Sequence, residues 1–240
     1  MESVEKLEWD SEFFGISIAR LRSVGQPIAA LSTQLRALKR QDYRLVYWLS
    51  PTLELPSDRE LTELGGVLVD LRATYSRECV QASGGEIAPN SKVEALERVI
   101  VTPALRSLAL QAGVYSRFRK DPRIGRNNFE ALYTRWIESS VSGDFADAVF
   151  VARSSGVEVA MITVRCRERI GSIGLFAVDP SQQKQGLGAE LLNAALEYFC
   201  LHGCDIAEVV TQLENRAACR LYEHCGYSLK KVERVYHFWL

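Results

Sequence analysis

The feature that most constrains this chain is a short glycine-containing segment between an apolar run ending at Val178 and a long helical pattern beginning near Ala189. In a strand, loop and helix of this kind, the first turn of the helix presents N–H groups without intrahelical acceptors and a partial positive charge. Glycine at positions 186 and 188 removes the Cβ atoms that would hold a ligand away from the backbone. The segment 183–188 therefore predicts a binding site for a phosphate or pyrophosphate group.

The spacing of these two glycines distinguishes between phosphate-binding motifs. A dinucleotide fingerprint requires G-x-G-x-x-G, and Leu191 occupies the position of the third glycine. The sequence has no P-loop pattern, G-x-x-x-x-G-K-[ST]. The pattern that fits is [QR]-x-x-G-x-[GA], formed by Gln183, Gly186 and Gly188. Taken alone, the same segment is also compatible with an ordinary surface turn between a strand and a helix.

A second segment downstream matches a longer pattern, N-x-x-A-x-x-x-Y-x-x-x-G-[FY], at Asn215, Ala218, Tyr222, Gly226 and Tyr227. Asn215 is a favourable N-cap residue, and Gly226 suits the left-handed conformation that ends many helices. Ala218 and Tyr222 lie four residues apart and therefore share one helical face. The segment predicts a short helix between these two ends.

Together the two segments resemble the acyl-coenzyme A loop and the following helix of the GCN5-related N-acetyltransferase (GNAT) superfamily. The resemblance implies an α/β fold with a mixed sheet that splays between its fourth and fifth strands, acetyl-CoA as cosubstrate, and no metal. It also implies that Tyr222 acts as a general acid toward the departing thiolate. The alternative for Tyr222 is a core aromatic residue with its hydroxyl hydrogen-bonded at the rim. The coenzyme contacts implied are Phe176, Ala177, Val178, Gln183, Lys184, Gln185, Gly186, Leu187, Gly188, Ala189 and Asn215.

Composition narrows the class of partner. The 29 basic and 30 acidic residues give a net charge of −1, so no global positive field attracts nucleic acid or anionic lipid. No apolar run approaches the ~18 residues that a membrane-spanning helix needs, and Met1–Glu5 is acidic rather than signal-like. The six cysteines lack C-x-x-C spacing. We therefore expect free thiols, small-molecule substrates and a cytoplasmic location.

Glycine, serine and proline between Gln81 and Ser91 predict a domain boundary. The boundary divides the chain into a smaller N-terminal α/β domain at 1–86 and an acetyltransferase domain at 87–240. In the first domain, hydrophobic periodicity predicts strands near 16–22, 43–49 and 66–78 and helices at 28–40 and 57–64.

The second domain follows the order β-α-α-β-β-β-α-β-α-β, which matches the GNAT fold. Its apolar C-terminal strand fits either a dimer edge or a buried core strand, so the sequence leaves a homodimer open. The predicted elements are a strand at 97–101, a helix at 102–112, a loop at 115–127, a helix at 128–140, strands at 148–153, 157–167 and 170–178, a helix to 201, a strand at 205–211, a helix at 215–225 and a strand at 227–239.

The predicted loop is dense in arginine and lysine. Charge runs of this kind are most often solvated. The alternative is that the loop contacts the phosphates of a nucleotide-linked substrate or of coenzyme A. On that interpretation Arg117, Phe118 and Arg119 are the candidate substrate residues. The apolar stripe on the helix that follows predicts core packing rather than a binding surface.

Further stretches resemble a subgroup of the superfamily that acetylates dTDP-linked amino sugars for bacterial surface polysaccharides: Leu7–Gly15, Ser116–Phe118, Trp136–Glu138 and Gly143–Phe145. This resemblance implies transfer to the amine of a dTDP-4-amino-4,6-dideoxyhexose. The Val178–Gln182 lead-in is that of generic superfamily members, which leaves the exact sugar undefined. A protein N-terminus, a peptide or a small-molecule amine stays as the alternative acceptor. A non-catalytic acyl-CoA sensor is disfavoured, because a binder needs no proton donor.

The sequence does not identify a general base. Glu208 in the predicted fifth strand is a candidate if the strand register places it toward the cleft. Asp144, Asp147 and Glu168 fit turn positions better. Direct attack by a neutral amine needs no base residue, and no pattern supports a cysteine nucleophile.

Overall fold

A computed structural model describes residues 3–22, 26–51, 56–80, 92–97 and 100–240. Within these ranges the strands are β1 (Ser3–Lys6), β2 (Ser17–Arg22), β3 (Tyr43–Pro51), β4 (Gly66–Glu78), β5 (Val93–Ala95), β6 (Ala148–Ser154), β7 (Val157–Arg167), β8 (Ile170–Val178), β9 (Ile206–Gln212) and β10 (Ser228–Trp239). The helices are α1 (Glu8–Phe14), α2 (Ile28–Arg40), α3 (Asp58–Glu63), α4 (Pro103–Ala112), α5 (Arg117–Lys120), α6 (Gly125–Val141), α7 (Leu187–Leu201) and α8 (Arg216–His224).

The described strands form one ten-stranded mixed sheet in the order β1-β2-β3-β10-β4-β9-β8-β7-β6-β5. Helices cover both faces, as expected for an α/β fold. One face, called here the α6 face, packs against α1, α4, α5 and α6. The opposite face, called the α7 face, packs against α2, α3, α7 and α8. The mixed α/β architecture predicted from the sequence is confirmed.

The two predicted domains contribute strands to the same sheet. β4, from the N-terminal segment, lies between β9 and β10 and is antiparallel to both. Arg72 stands opposite Gln212 on one side, and Asp70 stands opposite Val235 on the other. The predicted boundary falls within 81–91, outside the described residues. The division at 86/87 stays a prediction about folding units, although the segments on either side of it interleave.

Local signals explain several element ends. Thr102 caps α4 by accepting from the Leu105 N–H at 3.2 Å, with Pro103 at the first helical position. Ser57 and Glu60 form a reciprocal capping box at the start of α3. These helices begin where the sequence predicted.

The basic segment is more ordered than the predicted loop. Arg117–Lys120 forms a helical turn, and α6 begins at Gly125, three residues before the predicted start at 128. The physical reason is that Phe118 and Ile124 are both buried in the core on the α6 face. The many charged residues of this segment led to the prediction of a loop, which missed the two buried apolar residues.

Other element predictions differ from the structure at the start of the chain and after the predicted boundary. Described residues at 97, 100 and 101 form no strand, whereas Val93–Ala95 pairs with β6. Val93 is buried and Ile100 is 73% exposed, so burial favours the earlier segment. The sequence also did not predict β1 and α1. Ser11 anchors α1 to β2, since its Oγ accepts from the Ile18 N–H at 2.9 Å.

The apolar C-terminal strand lies inside the sheet. β10 is hydrogen-bonded to β3 on one side and β4 on the other. Tyr236 and Phe238 are buried against α2 residues and their neighbours. Core burial therefore accounts for this apolar ending, and the strand is not a sheet edge. All six cysteines are unpaired. Within the part of the chain that the structure describes, no helix is long and apolar enough to span a bilayer.

Candidate active site

A cleft opens between β8 and β9. The two strands pair in parallel from Ile170 and Ile206 to Ile173 and Val209, where the described pairing stops. β8 continues to Val178, and within the described residues no strand pairs with Gly174–Val178 on the β9 side. The backbone groups on that side are therefore available to a ligand that adds like an extra strand. This is the splay that the sequence resemblance implied.

A β-bulge lies at the point where the strands part. The register between β7 and β8 shifts between Ile162 and Val164, and Thr163 Oγ1 accepts from the Leu175 N–H at 2.8 Å. A Cβ atom on Gly174 would lie 2.7 Å from Thr163 Oγ1, so this position requires glycine. The bulge redirects the side chains of the second half of β8. A glycine inside an otherwise apolar strand was the available signal, and the sequence prediction did not use it.

Tyr222 lies beside the wall of this cleft. It is 3% exposed, and its ring centroid is 6.2 Å from that of Phe176 on β8 and 5.6 Å from that of Tyr75. Burial raises the pKa of the Tyr222 hydroxyl, so the phenol is protonated at neutral pH. The structure therefore brings together the predicted proton donor and one of the predicted coenzyme contacts. The protonated phenol is chemically suited to donate to a leaving thiolate.

The glycine loop has the backbone geometry of an anion site. Gly186 adopts φ +86°, immediately before the first helical residue of α7, and Gln183–Gly186 is exposed. A Cβ atom at Gly186 would have open space, its nearest neighbour being Glu190 Oε1 at 3.9 Å. The N–H groups of Leu187 and Gly188, the first two of α7, have no acceptor among the described residues, whereas those of Ala189 and Glu190 donate to the Gly186 carbonyl. An approaching pyrophosphate would therefore meet free donors rather than side-chain bulk, and these residues fit the phosphates of coenzyme A.

Gly188 has a packing role that the sequence did not predict, and its contact with the coenzyme stays a prediction. A Cβ atom there would lie 2.9 Å from Leu221 Cδ2 and 3.6 Å from Phe176 Cζ. Glycine at this position therefore lets α7 approach α8 and β8, which holds the glycine loop against the Tyr222 helix. Leu187 is buried in the core on the α7 face, and Ala189 is half-buried. Either residue could meet a ligand only through its backbone or a small exposed part.

The end of β8 is tied to its surroundings through the Val178 carbonyl. This oxygen accepts from Gln111 Nε2 at 2.6 Å and from Gln183 Nε2 at 3.1 Å. Gln183 thus fixes the loop to the strand that precedes it. Ala177 is buried on the α6 face, while Lys184 and Gln185 are exposed in the loop.

Asn215 has the capping role predicted for it. Its Oδ1 accepts from the Ala218 N–H at 3.2 Å, at the start of α8. A coenzyme contact would use the Nδ2 end of the same amide. That contact stays a proposal.

The candidate substrate residues lie in different surroundings. The Arg117 guanidinium lies over the rings of Tyr47 at 4.7 Å and Phe118 at 4.3 Å, where it lines a small cavity. Phe118 is a core residue. Arg119 is exposed and lies 5.6 Å from the Phe129 ring centroid. Of the three, Arg117 alone lines a described cavity.

A buried carboxyl group that the sequence prediction missed lies close to the cleft. Asp70 lies on β4 and is 4% exposed. The next residue, Leu71, accepts a backbone hydrogen bond from the Leu213 N–H, just after the end of β9. Burial raises the pKa of Asp70 to about 6, against the opposing charge of Arg117 and a hydrogen bond from Gln212. Gln212 is the last residue of β9, at the end where β8 and β9 diverge. A charged residue within an apolar strand was the sequence signal.

The earlier base candidates have other surroundings. Glu208 stands opposite Ser172 and Ser76, in the part of the sheet where the strands are still paired. Asp147 Oδ2 accepts from the Cys166 N–H at 2.6 Å. Asp144 accepts from Ser142 Oγ, and Glu168 adopts φ +49° in the turn after β7. Asp70 is better placed than these residues for a cleft that opens beyond the paired segment.

A buried polar network lies between β10 and the connection from α5 to α6. His237 Nδ1–H donates to Asp121 Oδ2 at 2.6 Å, and Trp239 Nε1–H donates to the same oxygen at 2.9 Å. Burial lowers the pKa of His237 to about 4, so its ring is neutral at pH 7. Burial would raise the pKa of Asp121, but hydrogen bonds from His237, Trp239 and the Arg123 N–H hold it below its usual range. The network anchors the connection between α5 and α6 to β10.

Comparison with known proteins identifies the class. Residues 113–227 match the acetyltransferase (GNAT) family model. The fold is similar to the crystal structure of a GCN5-related N-acetyltransferase from Sphaerobacter thermophilus, with a TM-score of 0.57 and 17% identity, covering 92% of this chain and 73% of that one. The chain therefore contains a GNAT acetyltransferase domain and is an acyl-CoA-dependent N-acetyltransferase.

The relatives add a narrower similarity. The chain is 28% identical over 242 residues to the dTDP-fucosamine acetyltransferase of Escherichia coli O6:H1, covering 99% of this chain and 97% of that protein. It is 26% identical over 138 residues to the spore coat polysaccharide biosynthesis protein SpsD of Bacillus subtilis, covering 58% of this chain and 47% of that protein. The first of these relatives confirms the predicted resemblance to an acetyltransferase that acts on a dTDP-linked amino sugar.

Proposed function

We propose that this protein transfers the acetyl group of acetyl-CoA to the amine of a dTDP-linked 4-amino-4,6-dideoxyhexose. The observation that carries the chemistry is the position of Tyr222, buried and protonated beside Phe176 at the wall of the β8–β9 cleft. Similarity to a dTDP-fucosamine acetyltransferase over 99% of the chain supports the choice of acceptor.

The coenzyme lies along β8 in this proposal. The unpaired backbone of Phe176–Val178 pairs with the amide groups of its pantetheine arm, and the Gln183–Gly188 loop receives its pyrophosphate. Asn215 contacts it from the start of α8. The protein supplies side chains and backbone donors for every step, and the proposal requires no metal.

The acetyl transfer is a direct attack. The amine nitrogen forms a bond to the thioester carbonyl carbon, backbone N–H groups of β8 stabilise the oxyanion, and the C–S bond then breaks. Asp70 accepts the proton lost by the amine, since a carboxyl group with a pKa of about 6 is largely ionised at neutral pH. Tyr222 donates its proton to the departing thiolate. Proton exchange with solvent restores both residues.

A thiol-release assay with acetyl-CoA tests the proposal. The acceptor panel contains dTDP-4-amino-4,6-dideoxyhexoses, free amines and short peptides. We expect coenzyme A release with a dTDP-amino sugar, and little release in the Tyr222→Phe variant. Turnover on peptides or free amines with none on the sugars would reject the sugar acceptor, while leaving the acetyltransferase class unchanged.

The cytoplasm is the proposed location. Acetyl-CoA and nucleotide-linked sugars are soluble, charged substrates. All six cysteines are unpaired, which supports a reducing compartment. The oligomeric state stays open, and size-exclusion chromatography with light scattering would determine it.

A further inference from the structure

A small cavity on the α6 face is lined by four arginines. Its volume is about 120 Å³, which corresponds to about four water molecules. Tyr47 and Leu49 form its floor on β3. The four arginines, called here the arginine pocket, are Arg20, Arg22, Arg72 and Arg117.

The sheet register brings these arginines together from distant parts of the chain. Arg20 and Arg22 are two residues apart on β2 and point to the same face, beside Tyr47 and Leu49 on β3. Arg72 enters from β4, two strands farther along the sheet, and Arg117 from the first turn of α5. Convergence of four guanidinium groups on one cavity is costly unless negative charge compensates it.

The carboxylates nearby compensate only part of this charge. Glu233 receives Arg72 Nη1 at 2.6 Å, Arg22 Nη1 at 3.4 Å and Lys231 Nζ at 3.2 Å, so three cations share one carboxylate. Arg20 pairs with the exposed Glu5 at 3.5 Å. Two further carboxyl groups lie within reach of these charges. Burial raises the pKa of both Asp10 and Asp70, and the charge of Arg117 opposes that shift in each.

Two further observations indicate residual positive charge. The Nε of Arg117 is buried and has no hydrogen-bond partner among the described residues. Burial lowers the pKa of Arg20, and the charges of Arg22 and Arg117 lower it further, while Glu5 opposes them. The guanidinium groups therefore repel one another in the free protein. An anion with several oxygens would relieve both the repulsion and the unsatisfied donor.

The distance between the arginine pocket and the cleft is comparable with the length of one sugar unit. Arg72 stands opposite Gln212 on β9, and the β8 wall of the cleft is one strand beyond. Paired strands lie about 4.8 Å apart, and β8 diverges from β9 at this end, so Arg72 lies at least roughly 10 Å across the sheet from β8. One pyranose ring with its glycosidic oxygen bridges a separation of this order. Asp70 lies between, within the electrostatic reach of Arg72 and Arg117.

We propose that the arginine pocket binds the diphosphate group of the nucleotide-linked acceptor and so orients the sugar amine toward Asp70 and the cleft. This inference rests on the proposed function, since it assigns a subsite for that acceptor. Paired guanidinium groups bind phosphate oxygens in a bidentate manner that lysine does not reproduce. The pocket is separate from the coenzyme loop, because that loop begins α7 on the opposite face of the sheet.

Calorimetric titration with dTDP, thymidine and coenzyme A tests the assignment. The variants are Arg22→Gln and Arg72→Gln, with Arg36→Gln as a control of equal charge change on the exposed surface of α2. Arg22 is 42% exposed and pairs only at 3.4 Å, so this variant is expected to fold even if Arg72→Gln does not. Arg22→Lys separates charge from guanidinium geometry.

We expect wild type and Arg36→Gln to bind dTDP with equal affinity and to bind thymidine far more weakly. Arg22→Gln and Arg72→Gln should each lose about tenfold or more in dTDP affinity, with coenzyme A affinity unchanged. Unchanged dTDP affinity in both variants would overturn the assignment. A loss of coenzyme A affinity without a loss for dTDP would also overturn it.

Activity measurements separate this inference from the proposed function. If wild type binds dTDP through these arginines but does not acetylate the amino sugar, the anion pocket stands and the proposed acceptor fails. If Arg22→Gln and Arg72→Gln acetylate the sugar with the wild-type KM, the proposed function stands and the pocket assignment fails.

Discussion

The two sides of the cleft obtain their binding groups in different ways. On the coenzyme side, the strand end, the glycine loop and the helix start occupy one continuous stretch, 176–189. On the acceptor side, the arginine pocket combines residues from positions 20, 22, 72 and 117. Backbone N–H groups are the phosphate ligands proposed on the first side, whereas guanidinium side chains surround the anion site proposed on the second.

This difference explains what each side requires of the fold. A helix start and a positive-φ glycine form an anion site wherever a strand leads into a helix, so few residues suffice. The arginine pocket exists only if β2, β3, β10 and β4 are adjacent and in register. The coenzyme side is therefore local in sequence, and the acceptor side depends on the tertiary structure.

The largest expected effect comes from removing the N-terminal segment, which contributes β4 to the centre of the sheet. Removal of residues 1–86 takes β4 away from its place between β9 and β10. Both strands would then expose unpaired edges, and buried residues such as Ala73 and Tyr75 would be lost from the core. We expect residues 87–240 expressed alone to be insoluble or unfolded, as judged by solubility and amide NMR dispersion beside the full chain. A well-dispersed spectrum with coenzyme A binding would instead establish an independent domain.

The next largest effect is on turnover through Tyr222. We expect Tyr222→Phe to lower kcat by about 100-fold or more, because general acid catalysis contributes on the order of 10²–10⁴. Coenzyme A affinity, measured by calorimetry, should change little, since the ring remains in place. Tyr227→Phe is the matched control, because Tyr227 is equally buried at 3% exposure and its hydroxyl has no described partner. Equal kcat values in the two variants would reject the general-acid role.

The secondary structure that surrounds the predicted coenzyme loop follows from the sequence because its signals are local. The bounds of β7 and β8, the Thr102 cap and the Asn215 cap all follow from periodicity, capping and turn chemistry within a few residues. Gly188 shows the limit of this approach. The motif predicted a ligand contact for this glycine, but not that its Cβ would meet Leu221 of another helix.

The acceptor side could not be predicted in the same way. Arg20, Arg22 and Arg72 lie in separate strands, and nothing in the sequence states that β10 separates β3 from β4. Asp70 is also uninformative alone, because its raised pKa depends on burial beneath helices that come later in the chain. Strand order and burial decide these features, and both are properties of the whole fold.

A pH profile tests whether Asp70 belongs to the acceptor side. A base acts in its ionised form, so kcat/KM should fall as the pH decreases through about 6. Asp70→Asn should lower kcat/KM by about 100-fold at pH 8 and lose the limb near pH 6. Asp144→Asn, in an exposed turn, is the control. A wild-type profile without this limb, or an unchanged limb in Asp70→Asn, would assign Asp70 a structural role.

A substitution at Gly186 tests the coenzyme side. Valine at φ +86° is strained and alters the loop at the start of α7, so we expect coenzyme A affinity to fall at least about tenfold. Gly156→Val is the matched control, since Gly156 has φ +80° with nothing within 4 Å in the turn between β6 and β7. Both variants carry similar strain, but only the first should affect calorimetric coenzyme binding. Equal coenzyme affinities would show that the loop backbone does not bind the pyrophosphate.

The smallest effect separates the two sides through stability. Asp121→Asn weakens the hydrogen bonds from His237 and Trp239, which should lower the free energy of unfolding by about 1–3 kcal/mol. Urea denaturation at pH 7 measures this change, with Asp144→Asn as the exposed control. Because the network joins β10 to the connection between α5 and α6, we expect the acceptor KM to rise while coenzyme A affinity stays constant. A loss of coenzyme A affinity as large as the rise in acceptor KM would show that the two sides are mechanically coupled. The coenzyme side would then be local in sequence, but its binding energy would depend on the tertiary structure, as that of the acceptor side does.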